Sequence, residues 1–234
     1  FVFLIVLLFA GNKLNAQRGM EFGATGGASY YLGDLNLYKH FYSPHLSLGV
    51  FGKYHINPRY ALRFAGLYSR VSGADIDFNN AFQLVRDREF ESTLIEASAM
   101  FEVSFLPYEI GDMKRKSYTP YLHSGLAIYM APNANDVINF AIPIGFGFKK
   151  NIKPRLVLGI EWTFRRTFSD VLDNVSGEDL DNYDPNYGIP IDDASRHKQI
   201  GFKYNKDWYS IANLTLSYTF KLGGLGCPAY YEWK

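Results

Sequence analysis

Apolar and polar residues alternate along most of the chain from about Gly19 to Phe220, in runs of ten residues or more. The clearest run is Leu156-Val157-Leu158-Gly159-Ile160-Glu161-Trp162-Thr163-Phe164-Arg165. Successive side chains of a strand point to opposite faces. One face of this strand therefore carries Leu156, Leu158, Ile160, Trp162 and Phe164, and the other Val157, Gly159, Glu161, Thr163 and Arg165. Runs of this length exceed the usual globular strand of about five or six residues. They suit tilted strands that cross a lipid bilayer.

The same pattern predicts eight strands: about Gly19–Tyr31, His45–Ile56, Arg59–Arg70, Glu89–Leu106, Tyr118–Met130, Asn139–Lys149, Leu156–Arg165 and Trp208–Phe220. The first has Met20, Phe22, Ala24, Ala28 and Tyr30 on one face. In the second, Leu46, Leu48, Val50, Tyr54 and Ile56 oppose His45, Ser47, Gly49, Lys53 and His55. The third sets Tyr60, Leu62, Phe64 and Tyr68 against Arg63, Ala65 and Ser69. The fourth sets Ile95, Ala97, Ala99, Phe101, Val103 and Phe105 against Ser92, Glu96, Ser98, Glu102 and Ser104. The faces of the fifth are indistinct. In the sixth, Phe140, Ile142, Ile144, Phe146 and Phe148 oppose Ala141, Pro143, Gly145 and Gly147, and Pro143 predicts a bulge or local irregularity. The eighth turns Ala212, Leu214, Leu216, Tyr218 and Phe220 outward.

Asn57-Pro58-Arg59 and Asn151-Ile152-Lys153-Pro154-Arg155 are tight turns, and the stretch from Pro107 to Lys116 is a moderate one. The links after the third and seventh strands are long. Short turns at one end and longer loops at the other predict an all-β fold, an eight-stranded antiparallel up-and-down transmembrane β-barrel. An even strand count puts both termini, with a C-terminal tail, on the periplasmic side. The expected organisation is a signal segment at 1–16, the barrel at 17–220 and a tail at 221–234.

A soluble lipocalin-like barrel has the opposite sense, with its apolar face inside. The residues favour lipid outside. Lys53, Arg63, Glu96, Glu102, Glu161 and Arg165 stand among Gly, Ala and Ser on the polar face. An eight-stranded lumen is only wide enough for side chains, so small residues and charges of both signs would fill it as a paired plug. Unpaired charges there would be too costly to bury. Tyr54, Tyr60, Tyr68, Phe105, Phe148, Tyr218 and Phe220 lie toward strand ends on the apolar face, as interfacial girdles do.

Composition agrees with this picture. Of 234 residues, 17% are aromatic, and the formal net charge is +1, which gives no drive toward nucleic acid. Average hydropathy alone would suggest a soluble protein, but only alternate residues of a barrel meet lipid. Phe1 to Ala10 reads as the apolar core of a secretory signal, opened part-way along, with cleavage expected after Ala16. About ten apolar residues are too few for a helical span. Cys227 is the single cysteine. In an oxidising compartment it is either an intermolecular bridge or an inert buried thiol.

No catalytic residue, metal site or cofactor is expected. His45 and Ser47 share a strand face, which makes a Ser–His arrangement thinkable, yet a polar strand face explains them as well. Asp170, Asp173, Glu178, Asp179, Asp181 and Asp184 could offer oxygen ligands to Ca²⁺, but do not match a Ca²⁺ loop and read as a solvated external segment. The histidines lack metal-ligand spacing, Gly223-Gly224-Leu225-Gly226 lacks a phosphate-loop setting, and Lys114-Arg115-Lys116 reads as a solvated turn. The tail holds more information. Beyond a glycine-rich hinge it carries Cys227, Pro228, Tyr230, Tyr231 and Trp233, a set suited to docking a partner. A tail lying with its aromatics in the headgroups is the alternative.

Several segments resemble one family. They are Gly26-Gly27-Ala28-Ser29-Tyr30-Tyr31-Leu32-Gly33-Asp34-Leu35-Asn36, Asn57-Pro58-Arg59-Tyr60-Ala61-Leu62-Arg63 and Phe105-Leu106-Pro107-Tyr108-Glu109, then Thr119-Pro120-Tyr121-Leu122 and Ile142-Pro143-Ile144-Gly145-Phe146-Gly147. Gly159-Ile160-Glu161-Trp162 follows, leading into Arg165-Arg166-Thr167-Phe168-Ser169-Asp170-Val171-Leu172-Asp173-Asn174-Val175-Ser176. In this order they resemble the PorG-type outer-membrane barrels of Bacteroidota, linked to the type IX (Por) secretion system and to gliding motility. The resemblance covers roughly residues 17–220. It implies a non-enzymatic outer-membrane accessory that holds a periplasmic ring of a PorK/GldK-like lipoprotein and a PorN/GldN-like protein. Cys227 would then be the point of an intermolecular disulfide. The alternatives are a lipid-modifying barrel enzyme and a small passive channel.

Overall fold

The computed structural model describes residues 19–33, 36, 39–78, 89–114, 116–132, 136–168 and 207–221. The expected signal segment, the acidic segment and the Cys227 tail lie outside them. The eight strands are β1 (Gly19–Leu32), β2 (His45–His55), β3 (Tyr60–Ala74), β4 (Glu89–Ser104), β5 (Tyr118–Ala131), β6 (Asp136–Lys153), β7 (Leu156–Thr167) and β8 (Trp208–Lys221). A 3₁₀ turn follows β3 at Asp75–Asp77.

Each strand pairs antiparallel with the next, and β1 pairs with β8 from Gly19↔Lys221 to Leu32↔Trp208, so the sheet closes on itself. Closure leaves no unpaired strand edge, which a barrel in hydrocarbon requires. The β2–β3 turn is built on Asn57, whose Oδ1 accepts from the backbone N–H groups of Arg59 and Tyr60, each at 2.8 Å. The β6–β7 turn is Pro154-Arg155. These tight turns and both ends of the described barrel share one rim, called here the turn end. At the opposite, loop end the connections are unequal, because β5 and β6 are joined by 132–135 alone.

The side-chain alternation holds through all eight strands. Leu46, Val50, Phe64, Leu126, Phe140, Ile160 and Leu214 are exposed on the outer wall, while Glu21, Lys53, Arg63, Glu96, Glu102, Lys149, Glu161 and Arg165 are buried within. An exposed wall of large apolar residues around a charged interior is the architecture of an outer-membrane β-barrel. No described helix is long and apolar enough to cross a membrane, and the crossing is made by strands. Tyr68, Phe105, Phe148, Tyr218 and Phe220 are all outward and exposed. Tyr118 joins them at the turn end, against Phe148.

Three features add to the sequence reading. In β5, Leu122, Leu126, Ile128 and Met130 face out and Tyr121, His123, Ala127 and Tyr129 face in. The faces were indistinct because large aromatics stand on the inner side and Ser124 on the outer. At Pro143 the expected local irregularity is present, as a lapse in pairing and not as a bulge. The β5–β6 ladder lapses between Ser124↔Ile144 and Ala127↔Ala141, opposite the proline, and resumes unchanged; the shifts lie between Tyr129 and Ala131 and between Asn151 and Lys153. A missing N–H removes a bond without adding a residue. Finally, Tyr30 is outward yet fully buried, because the segment 39–43 folds over the outer wall. Its His40 and Phe41 rings lie 5.9 and 4.9 Å from the Tyr30 ring.

Candidate functional site

The interior of the barrel gathers its chemistry in three levels. Nearest the turn end, Lys53 Nζ lies 3.0 Å from Glu102 and 3.7 Å from Glu21, and Lys149 pairs closely with Glu102. Glu21 also contacts His55 Nε2 at 2.9 Å and accepts from Ser217 Oγ at 2.6 Å. In the middle, Arg63 Nη1 donates to Glu161 at 2.6 Å and the Tyr121 hydroxyl donates to the same carboxylate at 2.7 Å. Toward the loop end, Arg165 Nε donates to Glu96 at 2.6 Å and Tyr209 adds a second bond at 2.7 Å.

Among the described side chains of the strands, four buried carboxylates meet four buried cations, so this set is formally neutral. Arg63–Glu161 and Arg165–Glu96 run across the lumen, whereas Lys53–Glu21 joins the neighbouring strands β1 and β2. Arg63 stands on β3 and Glu161 on β7, diametrically opposite in an eight-stranded ring. They brace opposite walls against each other. Aromatic rings complete the shell around the cations. The Arg63 guanidinium lies 4.4 Å from the Phe51 ring centroid and Lys149 Nζ 4.5 Å from that of Tyr108. Room for these rings comes from glycine. A Cβ on Gly23 would stand 2.6 Å from Phe51, and one on Gly147 2.6 Å from Tyr121.

All six charged residues singled out from sequence, Lys53, Arg63, Glu96, Glu102, Glu161 and Arg165, are buried here and each meets an opposite charge. Sequence reasoning missed Glu21, the contact of His55 with it, and Lys149. Strict parity would have found Lys149, one residue beyond outward Phe148, and Glu21, between outward Met20 and Phe22. It also missed that both mouths are stopped. At the loop end large apolar side chains, Tyr31, Leu67, Val71, Leu94, Tyr129, Tyr209 and Ile211, fill the lumen together with Ala127, Ala131 and Ala141. At the turn end the β4–β5 connection folds back into the mouth, where Tyr108 and Ile110 pack on Val157. Tyr108 N–H donates to Pro58 O at 2.9 Å. The Asn151 amide donates to the carbonyls of Glu109 and Asp112 at 3.0 and 2.8 Å and holds this cork in place.

The cork explains the basic turn. Lys114 and Lys116 are exposed, and Lys116 pairs with Glu109. Asp112 accepts from the backbone N–H groups of both lysine positions, which holds its carboxyl below the usual range. His45 and Ser47 do not form a pair. His45 Nε2 lies 2.7 Å from Ser72 Oγ, while Ser47 Oγ is buried in the lumen without a hydrogen-bond partner. Residues two apart on one strand face stand too far apart to hydrogen-bond directly. No group of three His, Cys, Asp or Glu able to hold a metal forms among the described residues.

A comparison with curated proteins finds no match. Among solved structures the chain is similar to the N-terminal β-barrel domain of Pseudomonas aeruginosa OprF, at 14% identity and TM-score 0.44 over 88% of this chain and 100% of that one. It is similar to Ail of Yersinia pestis, at 10% identity and TM-score 0.46 over 87% and 99%. The outer membrane protein OprG from Pseudomonas aeruginosa matches at 9% identity and TM-score 0.43 over 89% and 99%. Residues 1–229 match the family model described as "Domain of unknown function (DUF6089)", and the chain belongs to that family.

Proposed function

We propose that the protein is a non-enzymatic outer-membrane barrel that anchors a periplasmic ring in the type IX secretion and gliding machinery. The ring would be built of a PorK/GldK-like lipoprotein and a PorN/GldN-like protein. The observation that carries this reading is the stopped lumen. Ion pairs brace it across its width, an apolar layer fills one mouth and the Tyr108–Ile110 cork fills the other. A body built in this way resists deformation and offers a fixed position in the membrane. Partner binding then falls to what leaves the barrel, and the tail with Cys227, Pro228, Tyr230, Tyr231 and Trp233 is the segment suited to it. The turn end, where β8 finishes, would face the periplasm.

The test is affinity purification from membranes of the full chain and of a chain ending at Lys221. The ring proteins are expected with the first and not the second. Cys227→Ser is expected to remove a reductant-sensitive band of higher mass on a non-reducing gel. Ring proteins retained by the shortened chain would defeat tail docking. Their absence from the full chain would defeat the ring reading as a whole.

A further inference from the structure

Charge is not shared evenly between the two ends of the barrel. At the turn end every connection presents exposed cations: Arg59 on the β2–β3 turn, Lys114 and Lys116 on the cork, and Lys150, Lys153 and Arg155 at the end of β6 and its turn. The carboxylates there are already engaged. Glu109 pairs with Lys116, and Asp112 accepts from the backbone N–H groups of 114 and 116. Among the described residues, Lys116 is the one exposed cation of this end in an ion pair. Arg59 donates from Nη1 to Phe105 O at 3.0 Å and Arg155 from Nη1 to the Tyr218 hydroxyl at 2.9 Å, so both guanidinium groups keep other N–H donors free. The loop end is different. At its β3–β4 connection Asp75, Asp77, Glu89 and Glu91 stand with Arg70.

A notch of about 320 Å³ opens within the basic face. It is lined by Ile110 and Gly111 of the cork, Pro154 and Arg155 of the β6–β7 turn, and Thr219 and Phe220 of β8. The Thr219 hydroxyl is buried and has no hydrogen-bond partner among the described residues. The Asn151 amide ties the cork to β6, so Lys114, the notch and the β6–β7 turn belong to one surface. Lipid surrounds the wall of a barrel and not its mouth, so headgroups do not cover the cork. The residues beyond β8 carry Glu232 and Lys234, whose charges cancel, so the chain's own tail does not neutralise the face.

We propose that the turn-end face seats a partner protein of the aqueous phase through an acidic segment, with carboxylates on Lys114, Lys153 and Arg155 and an apolar side chain in the notch. The proposal deepens the ring reading and rests on its placement of the turn end in the periplasm. The tail then tethers the ring, and this face fixes its orientation. Complementary charge of this kind speeds encounter and sets register, while the filled notch slows release.

The full-length protein in detergent is titrated with a fluorescent peptide in which Glu alternates with Gly around a central Leu. Two matched peptides carry Gln for Glu, or Ser for Leu. Fluorescence anisotropy reads the binding. The Glu peptide is expected to bind about tenfold more tightly than either, on the scale of a few exposed charge contacts in the first case and one buried apolar side chain in the second. Raising salt from about 0.1 M to about 1 M shortens screening from about 10 Å to about 3 Å, and should erase the first difference but not the second. Lys114→Glu with Lys153→Glu should abolish the preference for Glu over Gln. Both side chains are exposed, so the fold should survive, as checked by the mobility of unheated protein on a gel. Lys39→Glu, at the loop end, should leave the preference intact. Equal binding of the Glu and Gln peptides overturns the proposal, as does a preference unchanged by Lys114→Glu with Lys153→Glu. Tighter binding by a chain ending at Lys221 would mean that the tail fills the notch. Displacement of the Glu peptide by added phosphatidylglycerol would mean that the cations serve lipid headgroups. Either result defeats the partner site. No ring protein enters the titration, so its failure and that of the ring reading are separate results.

Discussion

Arg63 and Glu161 show most plainly what the individual side chains do. Each is nearly fully buried, and each would be an isolated charge without the other. Removing one partner of a buried pair costs about 3–5 kcal/mol, whereas replacing both with apolar groups is often close to neutral. Arg63→Met is therefore expected to destabilise the barrel by about 3–5 kcal/mol, and Arg63→Met with Glu161→Leu by clearly less. Urea unfolding in lipid vesicles measures both. Equal losses would mean that the cross-lumen contact is not what these residues supply. Glu161 was legible from the alternation of β7 and Arg63 from that of β3, but nothing in either segment says that they meet. The His45–Ser47 idea came from the same alternation, and it gives way because His45 reaches sideways to Ser72 on β3.

At the scale of the element, the cork is the part whose behaviour depends on pH. Asp112 ties the backbone of 114 and 116, and its folded-state pKa is depressed by those bonds. A depressed carboxyl contributes stability that is present above its unfolded value, about 3.9, and is lost as pH falls through its lower folded value. Amide exchange at 114 and 116, referenced to unstructured peptide at each pH, should show protection from neutral pH down to about 4 and loss only below it. Asp112→Ala should remove that protection at every pH. The strap over the outer wall behaves oppositely. Tyr42 bonds Asp77, and burial, followed by that bond, raises its phenol to about 12. Its contribution is present below the unfolded value of about 10 and lost as pH rises toward 12. Neither device was visible in the chain. The Pro107–Lys116 stretch reads as an ordinary basic turn, because Tyr108 and Ile110 find their burial only once β1 and β7 close around them.

For the whole molecule, the membrane placement can be measured by depth. Leu126 stands mid-wall and Leu46 toward the loop-end rim, and both are about two-thirds exposed. An arginine on a lipid-facing wall costs about 2–4 kcal/mol at mid-depth and about 0–1 near an interface. Leu126→Arg should therefore destabilise the barrel in lipid vesicles far more than Leu46→Arg. Equal small effects would contradict a hydrocarbon surround.

The strands, the inner and outer faces of all but β5, and the sense of the barrel could be read from the sequence alone, because side-chain direction in a strand has period two and is a local property of the chain. Which charges pair, what stops each mouth and why Tyr30 is covered follow only from closure. Glu161 lies 98 residues from Arg63, and Tyr209 lies 113 from Glu96. Contacts over such separations are set by register around the whole ring, and no window of sequence contains both partners.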